Sequence, residues 1–297
     1  MTLVTFKVLP NRVGLITLNH PKSLNALTFS MGYEFKNLIQ RLNHELTSPP
    51  SSIDEIVSST SPVPLPLNPD TPPLPEYTNQ INSLILTGSG RAFSAGGSLP
   101  FLYSRTSLPP HLNSSTMYNF YTNFLSLRSL PIPTISAING PAIGAGACVT
   151  LATDYRLTTA ENKIGFNFTK LGIHPGMGGS HYLPRIIGTS KASRVLCGGK
   201  TYGGEEAKAL GMVDELIDSE NFLEGAIAVA EEFSMNNPTA TRGVTRTLRM
   251  QVDAGLEESL RREADQQALN YSRLDWKEGL DAVVERRSPV FDEYFSP

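Results

Sequence analysis

The sequence predicts an α/β core followed by a helical C-terminal extension. Strand-like and helical patterns are interleaved over residues 1–218, whereas only helical periodicity follows over 219–297. Two apolar, β-branched runs, INSLILTG (81–88) and IPTISAI (132–138), read as buried strands. Each of these strands delivers a turn made almost wholly of glycine and alanine.

The elements follow in order. VTFKVL and VGLITL read as two strands joined at Pro10-Asn11-Arg12. Asn19-His20-Pro21 stops the second, and Thr28 or Ser30 caps a helix carrying Met31, Phe35, Leu38, Ile39 and Leu42 at helical spacing. Residues 47–80 are dominated by proline and serine and show no periodicity, which predicts a surface insertion loop. After the strand at 81–88 comes the first small-residue turn, with Gly88, Gly90, Ala95, Gly96 and Gly97; residues 104–116 read as loop and MYNFYTNFLSLRSL as a helix. The second small-residue turn, Gly140 to Gly146, leads into VTLATDYR. A short apolar run, KIGFNF, and the loop LGIHPGMGGSHYLPRIIG come next. Gly203-Gly204 before Glu205-Glu206 opens a further helix that Gly211 stops. The rest is helical, with a break at Asn237-Pro238.

Composition narrows the classes. At 297 residues, with 40% hydrophobic and 18% charged residues, the chain is that of an ordinary globular protein. A net charge of −3 gives no reason to expect nucleic acid or an anionic membrane. Two cysteines do not make a disulfide framework, and no apolar run approaches a membrane span. The N-terminus lacks the features of a signal peptide and the C-terminus is not of the Ser-Lys-Leu type, so a cytoplasmic location is expected. No metal site is expected.

A strand that feeds a Gly/Ala turn into a helix N-terminus brings backbone N–H groups close to a ligand, which makes an anion or oxyanion site. The other reading of each turn alone is a tight βα connection.

The two turns, their order and their spacing resemble the crotonase (enoyl-CoA hydratase/isomerase) superfamily. Six segments carry the resemblance: LNHPKSLNAL (18–27), GRAFSAGGSL (90–99), PTISAINGPAIGAGACVTLATDYR (133–156), LGIHPGMGGSHYLPRIIG (171–188), AKALGMVDELI (207–217) and EGLDAVVERRSPVF (278–291). It implies a spiral of repeated ββα units, a helical trimerisation region and a homotrimer or hexamer. It also implies an acyl-CoA thioester as substrate, with coenzyme A entering only as part of that substrate. The family's chemistry rests on an oxyanion hole, whose two N–H donors map onto Gly97 and Ala145. Ala95 on the first turn maps to substrate binding. Lys22 lies where the family's first loop runs along coenzyme A and would pair with a phosphate, or is simply solvated. Arg286, with Arg287, resembles a position reaching a coenzyme A phosphate, or else forms a helix-end charge pair.

The pattern breaks at the proton-transfer positions. Hydratases of the family carry one glutamate six residues before the Asp that is Asp154 here; that position is Cys148. The second glutamate maps onto Phe168. A positioned acid or base contributes about 10²–10⁴-fold, so another group must move the proton or the standard reaction is lost. Cys148 reads as a thiolate activated at a helix N-terminus or as a small apolar filler. Asn167 would orient a water, and His174 is the imidazole within the core motifs. His181, Tyr118 and Tyr121 would reach the acyl pocket from other segments. Phe168 argues for a drier acyl pocket than a hydratase has.

The expectation is therefore an enoyl-CoA hydratase/isomerase-like protein, a lyase or isomerase of fatty acid metabolism, that stabilises a thioester enolate with a non-standard proton shuttle. The alternatives are a CoA-ester-binding protein without hydratase activity and a thioester hydrolase or C–C lyase on the same fold.

Overall fold

The computed structural model describes residues 2–48 and 73–291. Most of the expected insertion loop at 47–80 lies outside the described residues.

The first two strands form where VTFKVL and VGLITL place them. β1 (Val4–Leu9) and β2 (Val13–Leu18) pair antiparallel across a 3-10 turn at Pro10–Arg12. The helix α1 (Phe29–Thr47) is capped by Thr28, whose side chain accepts the Met31 N–H at 3.2 Å. Its Phe35, Ile39 and Leu42 face inward at helical spacing and are fully buried.

β3 (Ser83–Gly88) and β4 (Thr134–Ile138) add in parallel to β2. β6 (Tyr155–Thr158) and β9 (Glu215–Leu216) complete a six-stranded sheet in the order β1-β2-β3-β4-β6-β9. Both faces of its centre are covered, which is why these strands read as continuous apolar runs. Leu84 and Leu86 point into the main core, while Ile85 points the opposite way, with Val13, Ile135 and Leu157, onto Phe222, Ala226 and Ala230 of a later helix.

A second, three-stranded sheet joins β5 (Ala142–Ile143), β7 (Lys163–Gly165) and β8 (Thr201–Gly203). It matters for the site because β5 ends one residue before Gly144.

Two helices lie between β3 and β4: α2 (Leu99–Ser104) and α3 (Pro110–Leu125). The expectation of loop over 104–116 is corrected here. α3 starts at Pro110, where a proline at the first helical position sacrifices no hydrogen bond. Proline reads as a breaker unless its place in the helix is known.

α4 (Ala145–Leu151) follows β5, and α5 (Gly179–Ile187), α6 (Thr189–Gly198) and α7 (Gly204–Leu210) follow β7. Gly211 ends α7 at φ +86°, as its expected stop role requires. The chain then becomes all-helical with α8 (Phe222–Ser234), α9 (Pro238–Val252), α10 (Leu256–Tyr271) and α11 (Leu274–Glu285). α10 and α11 are not an outlying appendage, because Leu260, Ala264, Tyr271, Trp276 and Leu280 belong to the same core as β2 and β3.

Candidate active site

The first small-residue turn is fixed by the loop that precedes α1. Asn25, fully buried, donates from Nδ2 to the carbonyls of Ser89 at 2.9 Å and Ala92 at 2.8 Å. The Ala95 N–H donates to the Leu24 carbonyl at 2.9 Å and the Leu27 N–H to the Gly96 carbonyl at 2.7 Å. These bonds lie across the turn, so its conformation is set by tertiary partners rather than by local propensity.

The second turn is fixed by the first. The Ile143 N–H donates to the Ser94 carbonyl at 2.9 Å, and the Gly144 N–H to Gly165 at 2.8 Å. Gly144 sits at φ +55°, ψ −123°, a conformation open essentially to glycine alone. At Gly96, φ +87°, an added Cβ would lie 2.6 Å from the Ile143 carbonyl and 3.4 Å from the Ala145 nitrogen. The two turns therefore touch at the place where neither can carry a side chain.

Among the described residues, the N–H groups of Gly97 and Ala145 have no hydrogen-bond partner. Ala145 opens α4, so its N–H is one of the helix's unspent donors. Both residues line one cavity of about 120 Å³. Its walls are Ala95 and Gly97 from the first turn, Gly144 and Ala145 from the second, Phe101 and Leu102 of α2, and Met117, Phe120 and Tyr121 of α3. Asn167, Phe168 and Met177 close another side, and Gln267 and Tyr271 of α10 with Val283 of α11 close the last.

Six of the sequence-predicted residues thus meet in this cavity: Gly97, Ala145, Ala95, Asn167, Phe168 and Tyr121. Phe168 is 5% exposed and holds the position onto which the resemblance maps a glutamate. The others lie elsewhere. Lys22 is exposed in a 3-10 turn, and Arg286 is exposed at the C-cap of α11 with φ +57°. The ring Nδ1 of His174 lies 2.6 Å from the Pro175 carbonyl, its N–H donates to Asn270 at 2.9 Å, and burial lowers its pKa. It serves the loop's shape and does not line the cavity.

Cys148 corrects an expectation. The thiol is fully buried in the core and is not in the cavity wall; a Cβ on Gly179 would lie 2.9 Å from its sulfur. Burial pushes its pKa well up, and the charge of Glu263 pushes it further, so the thiol stays protonated at neutral pH. The apolar-filler reading is the one this environment fits.

His181 and Tyr118 are likewise used in packing. His181 is buried between Ser259 Oγ and the Val252 carbonyl, and Tyr118 lies under the Arg261 guanidinium at 4.6 Å. Tyr121 does reach the cavity, where its hydroxyl donates to Gln267 Oε1 at 2.6 Å. Tyr271 donates to the same oxygen at 2.7 Å, and Gln267 Nε2 donates to the His174 carbonyl at 2.7 Å. Burial holds the pKa of both phenols well above the usual tyrosine value, and so both keep their protons.

Gln267 and Tyr271 are cavity-wall residues that sequence reasoning missed. They stand one helical turn apart on α10, so a shared face was legible, but nothing local says that this face meets turns some 120–170 residues earlier.

The cavity thus combines two such turns, an apolar far side and two unspent backbone donors. The comparisons give the family. The family model for enoyl-CoA hydratase/isomerase matches residues 76–294. The chain belongs to the enoyl-CoA hydratase/isomerase family. Among solved structures, an enoyl-CoA hydratase from Bacillus halodurans superposes at TM-score 0.76 with 24% identity, covering 94% of this chain and 99% of that one. An enoyl-CoA hydratase from Bacillus anthracis gives TM-score 0.67 with 26% identity over 97% and 98% of the two chains. One from Mycobacterium avium subsp. paratuberculosis gives 0.73 with 21% identity over 97% and 98%. The fold is thus that of the crotonase group. Among the described residues, no helix is long and apolar enough to cross a membrane.

Proposed function

We propose that the chain binds an acyl-CoA thioester in this cavity and stabilises its enolate between the N–H groups of Gly97 and Ala145. The observation that carries the reading is that two unspent backbone donors, from turns locked against each other at Gly96, line one mostly apolar cavity. Preorganised donors of this kind need no reorganisation as charge develops, and one of them is worth about 2.7–4 kcal/mol. Lys22 and Arg286, both exposed, remain the candidates for coenzyme A phosphates, and a homotrimer or hexamer is the expected assembly.

The proton shuttle departs from two glutamates. Among the described residues, the titratable groups in the cavity wall are Tyr121 and Tyr271, tied together through Gln267, with Asn167 elsewhere in the same wall to place a water. A phenol with a raised pKa is a weak acid and a poor base at neutral pH, so hydration of a plain enoyl-CoA is slow.

That same absence of a wall carboxylate among the described residues favours the second reading, a CoA-ester-binding protein without hydratase activity. Two measurements separate them. Calorimetry with a saturated acyl-CoA tests binding, and NMR of α-proton exchange in D₂O tests enolate formation. Binding with accelerated exchange supports the enzyme; binding with exchange no faster than the free thioester leaves the binder. No binding at all sinks both.

A further inference from the structure

One part of the cavity wall is polar where a hydrocarbon chain alone would leave it apolar. Tyr121 of α3 and Gln267 and Tyr271 of α10 all line the cavity, and each is almost wholly buried. Gly176 lines it with them, and a Cβ there would lie 2.6 Å from the Tyr121 hydroxyl and 2.8 Å from Gln267 Nε2. The hydroxyl and the amide are thus covered at that point by a residue with no side chain.

The direction of each hydrogen bond in this group is fixed. Gln267 Nε2 faces the His174 carbonyl at 2.7 Å, which can only accept, so the amide oxygen faces the other way. Both phenols reach that oxygen, Tyr121 at 2.6 Å and Tyr271 at 2.7 Å, and since it too can only accept, both give it their protons. Among the described residues, no donor reaches either phenol oxygen, and the second Nε2 proton has no acceptor. The wall therefore offers lone pairs from the phenols and one N–H from the amide. A ligand group that both gives a proton and accepts one completes the set, and a hydroxyl does this where a carbonyl can only accept.

The elements also say where along the ligand this group lies. Asn167 stands against the second turn, 3.3 Å from a Cβ on Gly144, whereas no hydrogen bond ties Tyr121, Gln267 or Tyr271 to either turn. The polar group therefore meets the acyl chain past the carbons nearest the thioester. At about 120 Å³ the cavity is close in size to an engineered one of about 150 Å³ that holds benzene, so a chain of about five or six carbons fills it.

We infer that the acyl group carries a hydroxyl on its fourth or fifth carbon, which donates to a phenol oxygen and accepts the free Gln267 N–H, so that the ligands are CoA thioesters of short hydroxy acids. The inference rests on the thioester-binding reading above.

Calorimetry on the full-length protein tests it with two sets: pentanoyl-, 4-hydroxypentanoyl- and 4-oxopentanoyl-CoA, and hexanoyl-, 5-hydroxyhexanoyl- and 5-oxohexanoyl-CoA, each hydroxy ester as both enantiomers. In at least one set a hydroxy ester binds about 3–10-fold tighter than both other members. Gln267→Leu removes the amide and frees both phenol protons, so the lead over the oxo ester disappears. Hydroxy esters no tighter than their parents in both sets overturn the inference while leaving thioester binding in place. So do oxo esters that equal them in the wild type, or a lead unchanged in Gln267→Leu. If none of the esters binds, the thioester reading itself falls. Should Gln267→Leu fail to fold, Tyr121→Phe and Tyr271→Phe decide: the hydroxyl preference drops in at least one, and its survival in both overturns the inference.

Discussion

The Glu263 carboxylate of α10 accepts the Gly178 N–H at 2.8 Å, and its other oxygen accepts the Ser180 N–H at 2.9 Å and hydroxyl at 2.6 Å. One fully buried side chain thereby occupies the unspent donors at the start of α5, just behind Met177 in the cavity wall. Burial raises its pKa to about 7, against the opposing pull of those hydrogen bonds. A folded-state value above the unfolded 4.5 contributes stability that is complete below about pH 4.5 and is lost as pH rises through 7. Glu263→Gln removes this component. The stability of the wild type relative to the variant, from urea unfolding, should fall by up to roughly 3 kcal/mol between pH 4.5 and 8. A pH-independent difference would count against it.

Asp154 behaves in the opposite sense. Burial pulls its pKa up, but the hydrogen bond from Arg249 and the charges of Arg249 and Arg128 outweigh this, and the net value is lowered. Its stabilisation is therefore present above the unfolded value and lost as pH falls through the folded one. Arg249, 6% exposed, also donates to the carbonyls of Arg128, Leu130 and Ile132, so it staples α9 to the chain entering β4. Asp154→Asn leaves that guanidinium without its anion and should cost about 3 kcal/mol in chemical denaturation at pH 7. A cost below about 1 kcal/mol would show the pair to be dispensable.

The two cysteines should differ in reactivity. Cys148 is buried and Cys197 exposed. Intact-mass analysis after alkylation should find one adduct on the native protein and the second only after unfolding, and Cys148→Ala should leave any turnover of a CoA ester within about twofold. Rapid native labelling of Cys148 would restore it as a proton-transfer candidate.

Phe168 offers the converse experiment. Phe168→Glu puts a carboxylate into the cavity wall at the position onto which the resemblance maps a hydratase glutamate, and crotonyl-CoA hydration should rise by about 10²-fold. Loss of the absorbance of the conjugated enoyl thioester reads it directly. No increase in a folded variant would mean that the pocket geometry, and not the missing base, limits hydration.

Gly144 tests the turn. Gly144→Ala forces an alanine into φ +55° and brings its Cβ to 3.3 Å from Asn167 Oδ1. The strain should cost about 1–3 kcal/mol in stability and weaken CoA-ester binding by calorimetry. An unchanged affinity would separate the turn from the ligand.

The parts of the molecule legible in sequence were those with a local cause. β-branched runs marked β3 and β4 because both faces are covered, and the glycines at 96 and 144 marked turns because no other residue fits there. The residues that close the cavity from afar had no such mark. Gln267 and Tyr271 lie on a helix whose pattern says only that one face is buried. Cys148 stood at the right position in the chain, yet its side chain went to the core, because position along a helix does not tell which neighbour fills the space in front of it.

The participation of α10 and α11 in the cavity wall has a consequence for how the protein comes into being. A nascent chain that has emerged as far as Val252 already holds both turns, but lacks Gln267, Tyr271 and Val283. Its ligand trough is open along one side. The capacity to enclose the cavity arises only once α10 and α11 have been made, and a ligand held there would favour the docked state of those helices by mass action. Ligand supply and the docking of these helices would thereby be coupled.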